Sequence, residues 1–266
     1  MTLRPDWDAA TYQRVSRPQL EWGRGVLDRL ALVGSEHVLD AGCGTGRVTA
    51  ELLAKLRAAG GGGRVRALDR SPDMCARARA ALPREVAVVR ADLLAIPFAA
   101  GAFDVVFSTA TFHWVLDPAA LYAGLARILR PGGRLHAQCG GEGNLERVMA
   151  HVRALRAAPR WAERFRGFRE PWVFLSPAAA ERHLRAAGFT DVRTGLEPRP
   201  TPFADRAAFR EFLASVVLAD NLARLPDERE RAAFVDAVCD AAGADEPPWT
   251  LDYVRLNLEA TRGARG

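Results

Sequence analysis

Short apolar runs alternate with stretches of helical spacing along the first half of the chain. Val38 and Leu39 run into Asp40 as the end of a first strand, and Val48, Leu52, Leu53 and Leu56 then recur on one helix face. Gly60–Gly63 stop that helix. A second strand is predicted over Val65–Asp69. Ser71 and Pro72 read as N-cap and first residue of a helix through Ala81. Val86–Ala91 and Phe103–Ser108 read as third and fourth strands. Asp117-Pro118 repeats the cap chemistry ahead of Leu121, Leu125, Ile128 and Leu129 at helical spacing. Arg130–Gly133 reads as a turn and Arg134–Cys139 as a fifth strand. Strands separated by helices predict an α/β fold, a parallel sheet with right-handed crossovers.

The second half changes character. Asn144–Ala158 and Arg160–Phe168 read as helices with no strand between them, and Ser176-Pro177 caps a further helix ending at Gly188. Asp191–Leu196 reads as a sixth strand and Tyr253–Glu259 as a seventh. Two helical patterns, Arg206–Ala219 and Asp227–Ala242, lie between them. These helices, with the N-terminal segment, are placed to roof the carboxyl ends of the strands, where open α/β sheets bind ligands. The expected division is a helical lid segment over 1–34, a cofactor-binding core over 35–140, and a remainder over 141–266 that completes the sheet and carries the lid helices. All three form one domain.

Composition narrows the class. Hydrophobic residues make up 49% of the 266, enough for a full core. No apolar run approaches the roughly 18 residues of a membrane helix. Met1–Asp8 is polar, without the apolar region of a signal peptide. A cytoplasmic protein without membrane partners is the expectation, a monomer by default. The net charge of +5 comes from arginines interspersed with acids, Lys55 being the one lysine, a bias that argues against nucleic acid. The densest arginines, Arg153 to Arg169, read either as a solvated helix face or as a basic rim for an anionic substrate. Cys43, Cys75, Cys139 and Cys239 are far apart, so no CxxC metal or redox pair exists and no metal is expected.

The chemistry begins at Asp40-Ala-Gly-Cys-Gly-Thr-Gly46. Glycines let backbone turn sharply and approach a ligand with no Cβ in the way. A dinucleotide fingerprint needs its third glycine at position 47, which is Arg47; here it falls at Gly46. Strand two ends in Asp69, placed to accept from both hydroxyls of a ribose. Strand three ends at Asp92, placed to accept from an adenine amino group, with Leu93 packing on the ring. Three successive strands ending in acids, one carrying the glycine loop, point to a nucleoside-type cofactor.

These segments, with Leu68–Met74, Ala91-Asp92-Leu93 and Leu129–Gly133, resemble the ordered motifs of class I S-adenosylmethionine-dependent methyltransferases. Trp7–Tyr12, Ser16-Arg-Pro18 and Phe112-His-Trp114 resemble the trans-aconitate methyltransferase-like branch. The resemblance implies a Rossmann-like, seven-stranded, mostly parallel sheet of order 3-2-1-4-5-7-6, with helices on both faces and a helical lid. It implies S-adenosylmethionine as cofactor, its methionine moiety on Gly42, Cys43, Gly44 and Gly46. The ribose falls to Asp69 and the adenine to Asp92, flanked by Arg70 and Met74. Thr109 matches a position whose backbone lies near the cofactor, and Tyr12 one that closes over it. Family members often carry a small or apolar residue where Arg70 stands.

Methyl transfer needs no nucleophilic residue; it needs an acceptor held in line and a dry site. A carboxylate acceptor is already deprotonated near neutral pH, whereas a hydroxyl or amine needs a base. His113, just after strand four, is the leading candidate for that role, with positioning or packing as the competing reading. Trp114 and Trp172 are candidate acceptor-site walls, and Arg17 and Arg169 candidate partners of an acceptor carboxylate. The expected function is methylation of a small molecule, first of a carboxylate oxygen. The alternatives are a hydroxyl, N- or C-methyltransferase using His113, or a catalytically silent cofactor-binding protein.

Overall fold

The computed structural model describes residues 17–264. The described part opens with helix α1 (Arg17–Arg29) and then alternates β1 (His37–Ala41), α2 (Arg47–Ala58), β2 (Arg64–Asp69), α3 (Pro72–Ala81), β3 (Ala87–Arg90) and β4 (Phe103–Thr109). A single 3₁₀ turn, Phe112–Trp114, precedes α4 (Pro118–Ile128) and β5 (Leu129–Gly140). The caps are those the sequence predicts. Ser71 Oγ accepts from Met74 N–H and Asp117 Oδ1 from Ala120 N–H, each with proline next in line.

The remainder comprises α5 (Glu146–Ala157), α6 (Pro177–Ala186), β6 (Phe189–Pro198), β7 (Thr201–Pro202), α7 (Arg206–Phe212), α8 (Ala219–Leu222), α9 (Glu228–Gly243), β8 (Thr250–Leu251) and β9 (Val254–Arg262). The main sheet has seven strands in the order β3-β2-β1-β4-β5-β9-β6. Strands β1 to β5 pair in parallel, and β9 runs antiparallel between β5 and β6. This is the Rossmann-like arrangement the resemblance implies. The short pair β7–β8 lies outside the sheet and carries no periodic signal in its two-residue strands.

Several local expectations are corrected. Arg130–Gly133 is not a turn ahead of β5 but an excursion inside it. Phe103 pairs with Leu129 and Val105 with Arg134, and Gly132 takes φ +77° to allow the bulge. Arg160–Phe168 is not a helix. Most of its bonds close over three residues, as from Arg164 N–H to Trp161 O and Phe168 N–H to Phe165 O, because its aromatic residues pack inward on α9. Arg206–Ala219 is not one helix either. After α7 a π turn, Leu213–Val217, closes with Leu218 N–H on Leu213 O, which turns Leu213, Val216 and Val217 together into the lid.

Buried side chains form a core on each face of the sheet. One includes Leu39, Val106, Leu125 and Leu258, the other Val38, Leu52, Val105 and Phe107. A third cluster lies among the lid helices, around Phe209, Phe234 and Val238, reaching Trp172 and Tyr253. Phe234 is fully buried, with ring centroids 5.2 Å from Trp161 and 5.4 Å from Phe165. Phe234→Ala is expected to cost about 3–5 kcal/mol, read as a lowered midpoint in urea unfolding. A shift under about 1 kcal/mol would mean that the lid core closes over the cavity.

Candidate functional site

The site is built where the strand order reverses, between β1 and β4. The glycine loop leaves β1 with φ of +89° at Gly42, +53° at Gly44 and +82° at Gly46, values an L side chain rarely adopts. Gly42 and Cys43 N–H both donate to Leu68 O, which ties the loop to β2. Thr111 ties it to β4, its Oγ1 donating to Thr109 O at 3.0 Å and lying 3.2 Å from Gly42 O. A Cβ on Gly42 would lie 2.2 Å from that same Oγ1, whereas one on Gly44 would meet nothing within 4 Å. Gly42 is therefore required by the fold, and Gly44 borders open space. Thr111, absent from the motif reading, fills the crossing point.

Asp69 holds the loop from the other side. Its Oδ2 accepts from Gly44 N–H and its Oδ1 from Ser71 N–H, both at 2.9 Å. Burial raises its pKa against those backbone hydrogen bonds. Asp40 is fully enclosed and accepts from Thr49 Oγ1 at 2.6 Å. Burial pushes its pKa from an ordinary 3.8 up to about 7, opposed by the Thr49 hydroxyl and helped by the charge of Asp69. Cys43 is pushed up by burial and by both acids, so its thiol stays protonated. Two acids in a dry loop, one raised by the other's charge, are relieved by a cationic ligand.

The remaining sequence candidates fall in different surroundings. Met74 is buried at the start of α3 and Arg70 is exposed beside it. Ala91 N–H donates to Asp69 O, placing the end of β3 against the end of β2. Asp92 is exposed and accepts from Leu94 N–H at 2.9 Å, while Leu93 sits in the core beneath the sheet. Thr109 ends β4 beneath α1, where a Cβ on Gly23 would lie 3.5 Å from Thr109 Oγ1. Tyr12 and the Arg17 side chain lie outside the described residues. Arg169 is exposed on the turn region, and no contact brings it to the site.

The candidates His113, Trp114 and Trp172 do come together, joined by Phe174. Ring centroids are 4.9 Å apart for His113–Trp114, 5.4 Å for Trp114–Trp172, 5.5 Å for the stacked Trp172–Phe174 and 5.7 Å for His113–Phe174. Val173 N–H donates to His113 O and anchors this strap. His113 is buried, and its Nδ1 accepts from Gly140 N–H at 3.2 Å.

Sheet order, glycine loop and acids at successive strand ends define a methyltransferase core. Residues 39–137 match the methyltransferase domain family. A trans-aconitate 2-methyltransferase of Methylobacterium radiotolerans is 32% identical over 256 residues, 91% of each chain. An uncharacterized methyltransferase of Schizosaccharomyces pombe is 32% identical over 188 residues, 69% of this chain and 70% of its own. The solved phosphoethanolamine N-methyltransferase 2 of Haemonchus contortus, bound to S-adenosylhomocysteine, superposes with a TM-score of 0.58 at 16% identity, covering 96% of this chain and 57% of its own. The chain belongs to the class I S-adenosylmethionine-dependent methyltransferases and, within them, to the trans-aconitate methyltransferase-like branch. Its cofactor is S-adenosylmethionine, and the acidic, open-faced loop fits a cation of that kind.

Two outcomes are expected. Gly42→Ala meets both the positive φ and the Thr111 side chain. It should lower stability by about 1–3 kcal/mol and weaken S-adenosylhomocysteine binding in calorimetry; wild-type affinity would remove the loop's role. Asp40 has a folded pKa above its unfolded one, so its contribution is full below pH 3.8 and drains away as pH rises through about 7. Asp40→Asn keeps an acceptor for Thr49 and removes that drain. The melting temperature of the variant minus that of wild type should climb between about pH 4 and pH 8; a constant difference would contradict the raised pKa.

Proposed function

We propose that this enzyme methylates a carboxylate oxygen of a small polycarboxylic acid. The observation that carries the reading is the hydrogen bond from Gly140 N–H to His113 Nδ1. With Nδ1 accepting, the neutral ring carries its hydrogen on Nε2. A proton taken from an acceptor would require Nε2 to be the bare nitrogen and Nδ1 the protonated one, and the Gly140 N–H opposes that tautomer. Hydroxyl or amine acceptors thereby lose their leading base. A carboxylate, with an ordinary pKa near 4, needs none.

When bound, S-adenosylmethionine supplies an electrophilic methyl group on a cationic sulfur. The chain's own residues then have separate duties. Gly42, Cys43, Gly44 and Gly46 present backbone to the methionine moiety, Asp40 and Asp69 offset its positive charge, and Asp69 receives the ribose hydroxyls. Asp92, Arg70, Met74 and Ala91 border the adenine, with Leu93 holding that strand end from the core. Thr109 bounds the cofactor from β4, and Tyr12 closes it from the N-terminal segment. His113, Trp114 and Trp172 wall the acceptor and keep water out. That favours a step in which an anion and a cation annihilate their charges. The name of the Methylobacterium relative, a methyltransferase acting on a tricarboxylic acid, supports the same class of acceptor.

Transfer of labelled methyl from S-adenosylmethionine to trans-aconitate and other di- and tricarboxylic acids, beside phenols and amines, tests this. Methyl esters are expected from acids alone. His113→Gln retains an acceptor for Gly140 N–H and should keep acid methylation within about tenfold, whereas a loss of 10²–10⁴-fold is the signature of a base. Transfer only to phenols or amines would overturn the reading.

A further inference from the structure

One buried side chain is engaged at one end only and belongs to none of the sequence motifs. Asn144 follows β5, past the carboxyl end of that strand, and is only 4% exposed. Its Oδ1 accepts from the N–H of Val254, the first residue of β9, at 2.9 Å. That bond assigns the oxygen end of the amide and turns the nitrogen the other way. Among the described residues Nδ2 has no hydrogen-bond partner. A carboxamide nitrogen has two hydrogens to donate, and leaving a buried donor unpaired is unfavourable.

The turn that carries Asn144 is braced against the start of β9. Asn144 N–H donates to Gly141 O, Gly141 N–H to Val254 O and Leu145 N–H to Asp252 O. Leu145 takes φ +62°, a left-handed conformation that leucine adopts rarely. Residues held there cluster at functional sites. The direction of Nδ2 follows from Gly140. A Cβ on Gly140 would lie 2.6 Å from the Phe174 ring and 3.1 Å from Asn144 Nδ2, so both groups close on the same small space over that glycine. The same Gly140 donates its N–H to His113 Nδ1 at 3.2 Å. Phe174 lies 5.7 Å from His113 between ring centroids and stacks on Trp172. The strap is bonded at both ends, Val173 N–H to His113 O and Glu142 N–H to Leu175 O. It therefore runs from His113 to the turn of Asn144.

We propose that Asn144 is a specificity residue of the acceptor site, its Nδ2 donating to a carboxylate oxygen of the methyl acceptor on the Gly140 side of the His113 and Phe174 rings. This inference rests on the carboxylate reading above and names a group that recognises the acceptor. Oδ1 serves the fold by holding β9, and Nδ2 serves the ligand. A hydrogen bond whose acceptor is ionised is roughly twice as strong as one between neutral groups, and more so where water is excluded. Asn144 neither gives nor takes a proton. It orients the acceptor.

The test is calorimetric titration of trans-aconitate, and of its trimethyl ester, into the protein loaded with S-adenosylhomocysteine. Asn144→Asp keeps an oxygen for Val254 N–H and puts a carboxylate oxygen where the donor stood. It is expected to weaken the acid by at least about 30-fold, the loss of a hydrogen bond to a charged group with a like charge in its place. The uncharged ester should lose less than the acid, and affinity for S-adenosylhomocysteine should stay within about threefold. Asn144→Ala removes the donor without adding charge and should weaken the acid by about tenfold; it carries the test if Asn144→Asp does not fold. Unchanged acid affinity in a folded variant would overturn the role of Asn144 while leaving the carboxylate reading in place. An equal loss of S-adenosylhomocysteine binding would mark Asn144 as structural and overturn it as well. If wild type binds no di- or tricarboxylic acid and methylates only neutral acceptors, the carboxylate reading falls, and the role of Asn144 with it.

Discussion

The carboxylate of Asp69 is the point on which the site depends. It sits at the end of β2 and accepts one backbone N–H from the glycine loop and one from the start of α3. Without it, a loop passing three times through positive φ would have little to define its path. With it, Gly44 is held open, Leu68 O receives Gly42 and Cys43, and Thr111 closes the gap to β4. The crossing between β1 and β4 is bound further by Ser108 Oγ, which donates to Ala41 O at 2.6 Å. The parallel sheet supplies the place; these few hydrogen bonds supply the shape.

Charge is then distributed unevenly across the cleft. The donor side carries Asp40 and Asp69, both driven up in pKa by burial. Arg255, near the start of β9, is buried as well. The rings of His113, Trp114, Trp172 and Phe174 form one cluster after β4. In the proposed reaction a cation and an anion meet and both charges vanish, so a site that pays for each charge separately and excludes water between them lowers the barrier to their combination.

The lid has a core of its own because its helices bury their apolar faces on one another as well as on the sheet. Trp161, Phe165 and Phe234 pack together far from the glycine loop, and the π turn after α7 adds Leu213, Val216 and Val217. The strap through Trp172 and Phe174 links that core to His113. The rings around His113 and the lid core therefore share side chains, which couples changes in one to the other.

Local chemistry was legible wherever it depends on neighbours in sequence. The alternation of strands and helices, the caps at Ser71 and Asp117, the glycine loop and the acids at the ends of β1, β2 and β3 follow from periodicity, turn residues and motif spacing, each a short-range property, while the strand order came with the family resemblance. The chain by itself thus determined the fold and the methyl donor. What it did not contain was any pairing across distance. Thr111 matters because it meets Gly42 from another strand, and Trp172 because it folds back on Trp114. The helical pattern of Arg160–Phe168 gives way because its aromatics are drawn onto α9. Arg255 reads as one more arginine in an arginine-rich chain; only the antiparallel insertion of β9 beside β5 buries it at Gly140. Tertiary structure decided which distant side chains meet, because contacts such as Trp114–Trp172 and Gly140–Arg255 have no contiguous stretch of sequence in which to be written.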